Sequence, residues 1–214
     1  MMQYAEERRD TLMNRGKLFI VSGPSGVGKS TVLKAFMKVR KDVCFSVSAT
    51  TRPPRAGEVD GVHYHFLPLE TFREWIERDE FLEYAEYVGN FYGTPKRFIQ
   101  AAMDEGKNVI LDIEIQGAMQ IREKCPDSVS IFIMPPDWNE LERRLSGRGT
   151  NSPEEIQKRL MRAQAEFQAA GEYDYMVVND AVEDAVRELD AIMTAEHCRT
   201  AGRRSRFITG KSGM

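Results

Sequence analysis

The sequence predicts an α/β fold in which a parallel sheet forms the core and helices flank it. Three observations support this prediction. Short apolar runs without polar alternation recur along the chain, as in strands that are buried on both faces. Helical patterns lie between most of these runs, which favours parallel strands joined by right-handed crossovers. A glycine-rich loop joins the first apolar run to the first helical pattern, as in phosphate-binding loops.

The apolar runs define the predicted core strands. These are Lys17–Ser22, Cys44–Ala49, Val109–Ile113, Val129–Ile133 and Tyr175–Val178. The first helix is predicted from Ser30 to Lys41, where apolar residues recur at helical spacing. The last helix is predicted from Val182 to Ala195.

The stretch from about residue 51 to residue 95 interrupts this alternation of strands and helices. Its predicted elements are a strand at Tyr64–Leu67, a helix at Leu69–Arg78, and two strands at Leu82–Val88 and Phe91–Tyr92. The pair Gly89-Asn90 between the last two strands is typical of a hairpin turn. We therefore predict a small mixed α/β insertion over residues 47–96, built on antiparallel strands.

A second departure follows the fourth core strand. The patterns Asp137-x-x-Glu140 and Ser152-Pro153-x-Glu155 are each typical of the start of a helix. Two helices joined by a turn rich in glycine and arginine predict a mobile lid over residues 137–170. The core then comprises residues 16–46, 97–136 and 171–200, and the two ends, 1–15 and 201–214, are predicted to be flexible tails.

Composition narrows the class of protein. A chain of 214 residues with 42% hydrophobic and 29% charged residues suits one soluble globular unit. Its net charge of −3 argues against a nucleic-acid binder that relies on bulk positive charge. The cysteines, Cys44, Cys125 and Cys198, are too far apart for a metal-binding pair. The N-terminus lacks the pattern of a secretory signal, and the longest apolar runs are too short to span a membrane. We therefore expect a cytoplasmic protein with reduced thiols.

The segment from Gly23 to Ser30, GPSGVGKS, has the spacing of a nucleotide phosphate-binding loop. Successive backbone N–H groups and the N-terminus of the following helix form an anion cradle in such loops. Lys29 can span the β- and γ-phosphates, and Ser30 can ligate Mg²⁺ through its hydroxyl. The loop therefore predicts a site for a nucleoside triphosphate with Mg²⁺, and the alternative is an ordinary glycine-rich turn.

A carboxylate ends the third predicted core strand. Asp112 has the position of an acid that holds the water shell of Mg²⁺, and Glu114 follows two residues later. A period of two would place both side chains on the same side of the chain. The alternative is a solvated carboxylate at a strand end.

The insertion offers a second anion site. Arg52 and Arg55 flank two prolines, which stiffen the loop and fix the direction of both guanidinium groups. Arginine suits phosphate because its fork donates two parallel hydrogen bonds. Tyr64 and Tyr92 can each add a phenolic donor. The alternative is a solvated basic loop.

Several segments together resemble the guanylate kinase family. They are SATTRPPRAGEVDG with Tyr64, FLEYAE, GNFYGT, LDIEIQGA, GRGT, KRL and VND, which occur in this order between residues 16 and 195. The resemblance implies the P-loop nucleoside monophosphate kinase fold, with an acceptor-binding insertion and a helical lid. It also implies transfer of the γ-phosphoryl group of ATP to GMP, and to dGMP, with Mg²⁺ as cofactor.

The resemblance also implies roles for individual residues. ATP would be bound by Gly23, Pro24, Ser25, Gly26, Val27, Gly28, Lys29, Ser30 and Thr31, with Arg144 and with Asn179 near the adenine. GMP would be bound by Arg52, Arg55, Tyr64 and Tyr92 at its phosphate, by Ser48, Glu83 and Thr94 at its base, and by Asp112 and Glu114. Mg²⁺ would be held by Ser30 and, through water, by Asp112. The catalytic set would be Lys29, Arg52, Arg148 and Arg159.

The sequence departs from the family's common pattern at two of these positions. Position 94 is threonine where serine is common, and position 114 is glutamate where aspartate is common. Both changes keep the donor or acceptor chemistry, although the longer Glu114 alters the reach of its carboxylate.

Guanine suits the carboxylate of Glu83, because its N1–H and exocyclic amine lie along one edge. The unprotonated N1 of adenine would oppose that carboxylate. The acceptor phosphate is largely ionised at neutral pH, so the reaction needs no general base. His63, His65 and His197 are accordingly expected to be structural or surface residues.

Three other functions fit parts of the same pattern. The first is a nucleotide kinase with a different acceptor. The second is a peptide-binding scaffold with a guanylate-kinase-like domain, although such modules typically have degraded phosphate loops. The third is a P-loop enzyme that only hydrolyses ATP, which would leave the paired arginines without a purpose.

Overall fold

The computed structural model describes residues 15–146 and 153–199. Its elements, in chain order, are β1 Leu18–Ser22, α1 Lys29–Val39, β2 Val43–Phe45, β3 Ala49–Thr50, β4 His65–Phe66, α2 Leu69–Glu77, β5 Phe81–Tyr87, β6 Asn90–Pro95, α3 Lys96–Asp104, β7 Asn108–Asp112, α4 Ile115–Lys124, β8 Val129–Met134, α5 Trp138–Ser146, α6 Pro153–Gln168, a 3₁₀ turn Ala169–Glu172, β9 Tyr175–Val178 and α7 Val182–Cys198.

The core sheet has the strand order β2-β7-β1-β8-β9, and every pair in it is parallel. Each face of the sheet is buried. Phe19 and Val21 of β1 belong to a hydrophobic cluster with α1 and α7, whereas Leu18 and Ile20 belong to a cluster with α4. Burial on both faces explains why the strands appear as continuous apolar runs. The predicted parallel α/β core is confirmed.

The carboxyl ends of the core strands position the candidate site. The phosphate-loop sequence follows β1, Asp112 ends β7, and Asn179 follows β9. Parallel strands end at the same edge of a sheet, so these segments meet there although they are far apart in sequence.

One predicted core strand is two strands in different sheets. The prediction Cys44–Ala49 was wrong, because β2 ends at Phe45 and β3 belongs to a second sheet. The backbone N–H of Ser46 still donates to Ile110 O (2.9 Å), after which the chain leaves the core. The segment Ser46-Val47-Ser48 at the break alternates polar and apolar residues as a strand does, so the pattern alone did not reveal it.

The second sheet forms the predicted insertion, with the order β4-β3-β6-β5. Its β3–β6 and β5–β6 pairs are antiparallel as expected, but β3 and β4 are parallel. Phe72 and Trp75 of α2 cover the sheet, and the Phe72 and Phe81 rings stack with their centroids 4.4 Å apart. The insertion therefore has an aromatic core of its own.

The hairpin between β5 and β6 turns one residue earlier than predicted. Tyr87 pairs with Asn90, so the turn residues are Val88 and Gly89, with φ angles of 49° and 72°. Positive φ at both central residues is the geometry that matches the strand twist. Asn90 is the first residue of β6 and donates through Nδ2 to Val88 O (3.2 Å).

The two lid helices begin as predicted. Asp137 Oδ1 accepts the backbone N–H of Glu140 (2.8 Å), which caps α5, and α6 begins at Pro153. Leu141 and Leu145 of α5 pack into the core cluster. The connecting turn, which carries Arg148, lies outside the described residues. The last helix, α7, runs three residues beyond its predicted end and finishes at Cys198.

Candidate functional site: a three-part nucleotide cleft

The glycine-rich loop has the backbone geometry that its sequence implies. Gly28 caps α1 in the left-handed conformation (φ 86°, ψ 16°), and Gly26 has φ 95°. A Cβ atom on Gly28 would lie 2.6 Å from Asn179 Nδ2, and one on Gly26 would lie 2.6 Å from Leu145 Cδ2. Both glycines are therefore required by backbone conformation and by close packing.

The loop is fastened to the end of β9 and to the lid. The carbonyl oxygen of Val27 accepts hydrogen bonds from Asn179 Nδ2 (2.6 Å) and from Arg144 Nη1 (3.1 Å). Arg144 Nη2 also donates to Asn179 O (3.0 Å). Two of the predicted ATP-binding residues thus hold the loop in place.

The predicted catalytic lysine meets the predicted magnesium acid. Lys29 Nζ lies 2.7 Å from Asp112 Oδ1, and their side chains are 18% and 36% exposed. The contact arises because β1 and β7 are neighbours, so that α1 begins beside the end of β7. The ion pair orients the lysine amine at the mouth of the loop.

Three cavities form a row along this edge. A central cavity of about 360 Å³ is lined by the glycine-rich loop together with Ser30 and Thr31. A second of about 410 Å³ shares Thr31 with it and is lined by Arg144 and Asn179. A third of about 370 Å³ shares Ser30 with the central one and extends to the insertion. We name them the phosphate, donor and acceptor cavities.

The acceptor cavity contains the three predicted base-reading residues, Ser48, Glu83 and Thr94, together with Asp112. Thr94 Oγ1 donates to Glu83 Oε1 (2.6 Å), which leaves Glu83 Oε2 as an acceptor. Burial raises the pKa of Glu83 above its ordinary value of 4.5, and the Thr94 hydrogen bond opposes that shift. The cavity therefore offers a partly buried carboxylate to a ligand with N–H donors.

The predicted acceptor-phosphate residues cluster beside this cavity, and Tyr64 also lines it. Arg52 Cζ lies 5.5 Å from the centre of the Tyr64 ring, and the Tyr64 and Tyr92 rings are 6.1 Å apart. Both guanidinium Nη atoms of Arg52 donate to the carboxylate of Glu58. Arg55 is exposed on the same loop.

Two arginines of α6 approach the glycine-rich loop, and one of them, Arg162, lines the phosphate cavity. Arg159 Nη2 donates to Ser25 Oγ (2.7 Å), which places one predicted lid arginine on the loop. Arg162 Nη2 donates to Glu114 Oε2 (2.9 Å), and its Nε donates to Glu166 Oε1 (2.8 Å).

Glu114 faces a different cavity from the one that the spacing predicts. Because β7 ends at Asp112, the strand period does not continue to Glu114, which instead lies at the N-terminal boundary of α4 and makes no side-chain capping hydrogen bond. Glu114 lines the phosphate cavity, whereas Asp112 lines the acceptor cavity.

Sequence reasoning missed some lining residues. Lys34 lies one helical turn after Ser30 and lines the acceptor cavity, and Arg162 lies one turn after Arg159. Spacings of three and four residues place side chains on the same helix face, so both could have been found from the sequence. His63, which was expected to be structural or superficial, also lines the acceptor cavity. No spacing in the sequence signals that position.

Two other kinds of feature are absent from the described part of the chain. Within residues 15–146 and 153–199, no group of three or more His, Cys, Asp or Glu side chains is placed to hold a metal ion. In the same part of the chain, no helix has the length and apolar character needed to cross a membrane.

Comparison with known proteins finds consistent matches. The guanylate kinase family model matches residues 15–196. The chain is 50% identical over 198 residues to a guanylate kinase of Clostridium perfringens (92% of each chain). It is 52% identical over 185 residues to one of Halalkalibacterium halodurans (86% of this chain, 91% of the other). The crystal structure of guanylate kinase from Anaplasma phagocytophilum matches with a TM-score of 0.65 at 35% identity, covering 87% of this chain and 88% of that one.

Proposed function

The chain belongs to the guanylate kinase family, which transfers the γ-phosphoryl group of ATP to GMP. We propose that this chain carries out the transfer along the row of three cavities. The observation that carries the proposal is that Ser30 lines both the phosphate cavity and the acceptor cavity. A phosphate held by the glycine-rich loop would therefore adjoin a nucleotide held by the insertion. Such proximity is the main requirement of an in-line transfer.

ATP would extend from the donor cavity into the phosphate cavity. Its adenine would lie near Asn179 and Arg144, and its phosphates would accept hydrogen bonds from the loop N–H groups between Gly23 and Thr31. Lys29 would contact the β- and γ-phosphates, and these contacts would replace part of its ion pair with Asp112.

The residues at this junction suit Mg²⁺. Mg²⁺ prefers oxygen ligands and is usually held by one or two protein groups together with substrate phosphates and water. The exposed hydroxyl of Ser30 would be a direct ligand, and the carboxylate of Asp112, at the end of β7, would bind through water. The bound ion would neutralise charge on the transferring phosphoryl group.

GMP would fill the acceptor cavity with its base against the insertion. Glu83 Oε2 would accept from guanine N1–H and the exocyclic amine, while Thr94 holds the other carboxylate oxygen. Ser48 lines the same cavity and would donate to the base. The phosphate would be held by Arg52, Arg55, Tyr64 and Tyr92. We also place Glu114 at the acceptor, which requires it to leave Arg162.

Positioning and charge neutralisation would account for the catalysis. The acceptor phosphate, with a second pKa of about 6, is its own nucleophile at neutral pH, so no side chain needs to remove a proton. Lys29, Arg148 and Arg159 would offset charge on the transferring group, while Arg52 holds the acceptor in line. Closure of the lid would exclude water and so suppress hydrolysis of ATP.

A panel of acceptors tests this function. ADP release is measured in a coupled assay with ATP, Mg²⁺ and each of GMP, dGMP, AMP, UMP and CMP. We expect GMP and dGMP to be used, with kcat/KM for the other three lower by at least about 10³-fold, because Glu83 would lose its paired donors. Comparable rates with AMP or with the pyrimidine nucleotides would contradict the proposal. ADP release without any acceptor would support the hydrolysis alternative instead.

A further inference from the structure

Glu58 occupies an unusual place in the acceptor loop, because its carboxylate accepts three hydrogen bonds from the loop itself. Oε1 accepts from Arg52 Nη2 (2.8 Å), and Oε2 accepts from Arg52 Nη1 (2.9 Å) and from the backbone N–H of Arg55 (2.6 Å). The side chains of Arg52 and Glu58 are only 12% and 18% exposed. This is a two-pronged ion pair with most of its surface removed from water.

The pair is charged over the whole physiological range of pH. The Arg52 guanidinium, followed by the Arg55 backbone N–H, lowers the pKa of Glu58 to about 2. The same pair raises the pKa of Arg52, to which the Tyr92 hydroxyl also contributes. Glu58 therefore does not release Arg52 by taking up a proton near neutral pH.

Glu58 leaves one edge of Arg52 available. A guanidinium has five N–H donors. Glu58 uses one from each Nη atom, and Pro53 O accepts another from Nη1 (2.7 Å). The remaining two lie on the edge formed by Nε and Nη2, which is a two-pronged donor of the kind that suits phosphate. The Tyr92 hydroxyl also interacts with the Arg52 guanidinium, and it is itself a predicted phosphate donor.

The direction of this edge is fixed on two sides. Glu58 holds the end of the guanidinium, and the rings of Tyr64 and Phe66 lie 5.5 Å and 5.8 Å from Arg52 Cζ. Tyr64 is itself a predicted phosphate donor and packs edge-on against Tyr92. A side chain constrained in this way loses little freedom when it binds an anion, which favours affinity.

We propose that Glu58 is a positioning residue for the acceptor phosphate. It acts through Arg52 and through the backbone of Arg55, and does not itself contact the nucleotide. The inference rests on the proposed function, because it takes Arg52 as a ligand of the GMP phosphate. A competing reading is that Glu58 occupies the phosphate position and is displaced by GMP. The two readings predict opposite effects when the charge of Glu58 is removed.

The test compares Glu58→Gln and Glu58→Asp with the wild type. Glutamine keeps the shape of the side chain but loses the charge and one acceptor oxygen. We expect Glu58→Gln to raise KM for GMP by about tenfold, the loss typical of one charge-assisted hydrogen bond. KM for ATP should stay within about twofold, because the donor residues lie on other elements. Glu58→Asp, which keeps the charge, should recover part of the loss.

Calorimetric titration separates positioning from collapse of the loop. GMP and guanosine share the base but only GMP has the phosphate, so Glu58→Gln should weaken GMP binding and leave guanosine binding unchanged. Equal weakening of both ligands would overturn the inference, because the loop would then have lost its structure. An unchanged or lower KM for GMP would also overturn it, the lower value supporting displacement.

A matched control comes from a second two-pronged ion pair. Arg40 donates through Nε and Nη2 to Asp42 (2.8 and 2.6 Å), at the opposite edge of the core sheet. Asp42→Asn removes the same charge and should leave KM for GMP unchanged. If the wild type itself fails to use GMP in the acceptor panel, the proposed function fails. If the wild type uses GMP and Glu58→Gln behaves like Asp42→Asn, only the role of Glu58 fails.

Discussion

The glycine-rich loop and the acceptor insertion build phosphate sites by different means. The loop is one contiguous segment whose backbone conformation is fixed by Gly26 and Gly28 and by packing against the core. The insertion instead assembles side chains from several strands and loops and holds them in pairs, Glu58 with Arg52 and Thr94 with Glu83. Backbone N–H groups bind any phosphate, whereas paired side chains can discriminate between acceptors. Substitutions in the two regions should therefore have separable effects.

The largest expected effect is that of Lys29→Ala in the loop. It should lower kcat by about 10³-fold, because it removes a charge that the transferring phosphoryl group would contact. The fold should persist, since the Asp112 carboxylate left behind is 36% exposed and can be solvated. The coupled assay gives kcat, and thermal unfolding checks the fold. Lys38→Ala, an exposed site in the last turn of the same helix, is the control. A kcat within tenfold of the wild type would remove Lys29 from the catalytic set.

Glu83→Gln tests the other side of the comparison and should act on selectivity. We expect it to lower kcat/KM for GMP by about 10²-fold, because guanine then faces an amide that offers one acceptor instead of a carboxylate. KM for ATP should not change. If ATP affinity fell in place of GMP affinity, the assignment of Glu83 to the base would be wrong.

The raised pKa of Glu83 also predicts how Glu83→Gln changes the thermal stability of the protein. A carboxyl group whose pKa is raised by folding binds its proton more tightly when folded, so its ionisation destabilises the protein at pH above that pKa. Glu83→Gln should therefore unfold at a higher temperature than the wild type at pH 7. The difference should shrink as the pH falls toward 4.5, the ordinary value for glutamate. Thermal unfolding between pH 4 and pH 8 measures it, and a variant less stable at pH 7 would contradict the assigned burial cost.

Gly28→Ala should have a smaller effect, confined to the donor side. Its φ of 86° disfavours any other residue by about 1–2 kcal/mol, and the new Cβ would also press on Asn179 Nδ2. We expect KM for ATP to rise about tenfold and the unfolding temperature to fall, with guanosine binding retained. Gly171→Ala is the control, because its Cβ would meet nothing within 4 Å. Loss of guanosine binding would show that the two regions are not separable.

The difference between a local loop motif and side chains that the fold brings together also explains how much could be predicted from the sequence. The loop is a local motif, and β1 and α1 were each placed within two residues because apolar spacing and glycine positions encode them. In the insertion, the helix and the antiparallel hairpin were also foreseen, whereas the aromatic core was not. The break between β2 and β3 was not foreseen, because the alternating residues Ser46-Val47-Ser48 also suit a strand and only the pairing partners differ.

Side-chain pairing was the least predictable feature. Nothing in the spacing of Arg52 and Glu58 distinguishes a two-pronged ion pair from two solvated charges, since the bond depends on how the loop folds back. The turn at Val88-Gly89 was displaced for a similar reason, because the strand register selected valine for a positive φ. Individual site roles stay predictions until the variants are measured, and Arg148 lies outside the described residues.

The smallest expected effect concerns the contact between Arg162 of the lid and Glu114, which both line the phosphate cavity beside the glycine-rich loop. Arg162 and Glu114 are 61% and 80% exposed, and an exposed ion pair contributes at most about 1 kcal/mol. Arg162→Gln also removes the ion pair with Glu166, whose side chain is 19% exposed, so the unfolding temperature should fall by a few degrees. If Glu114 must leave Arg162 to reach GMP, Arg162→Gln should lower KM for GMP by about twofold, within the range of so weak a pair. Glu114→Gln should raise KM for GMP instead. If both variants raised it to the same extent, the ion pair itself would support acceptor binding, and Glu114 would act as part of the lid.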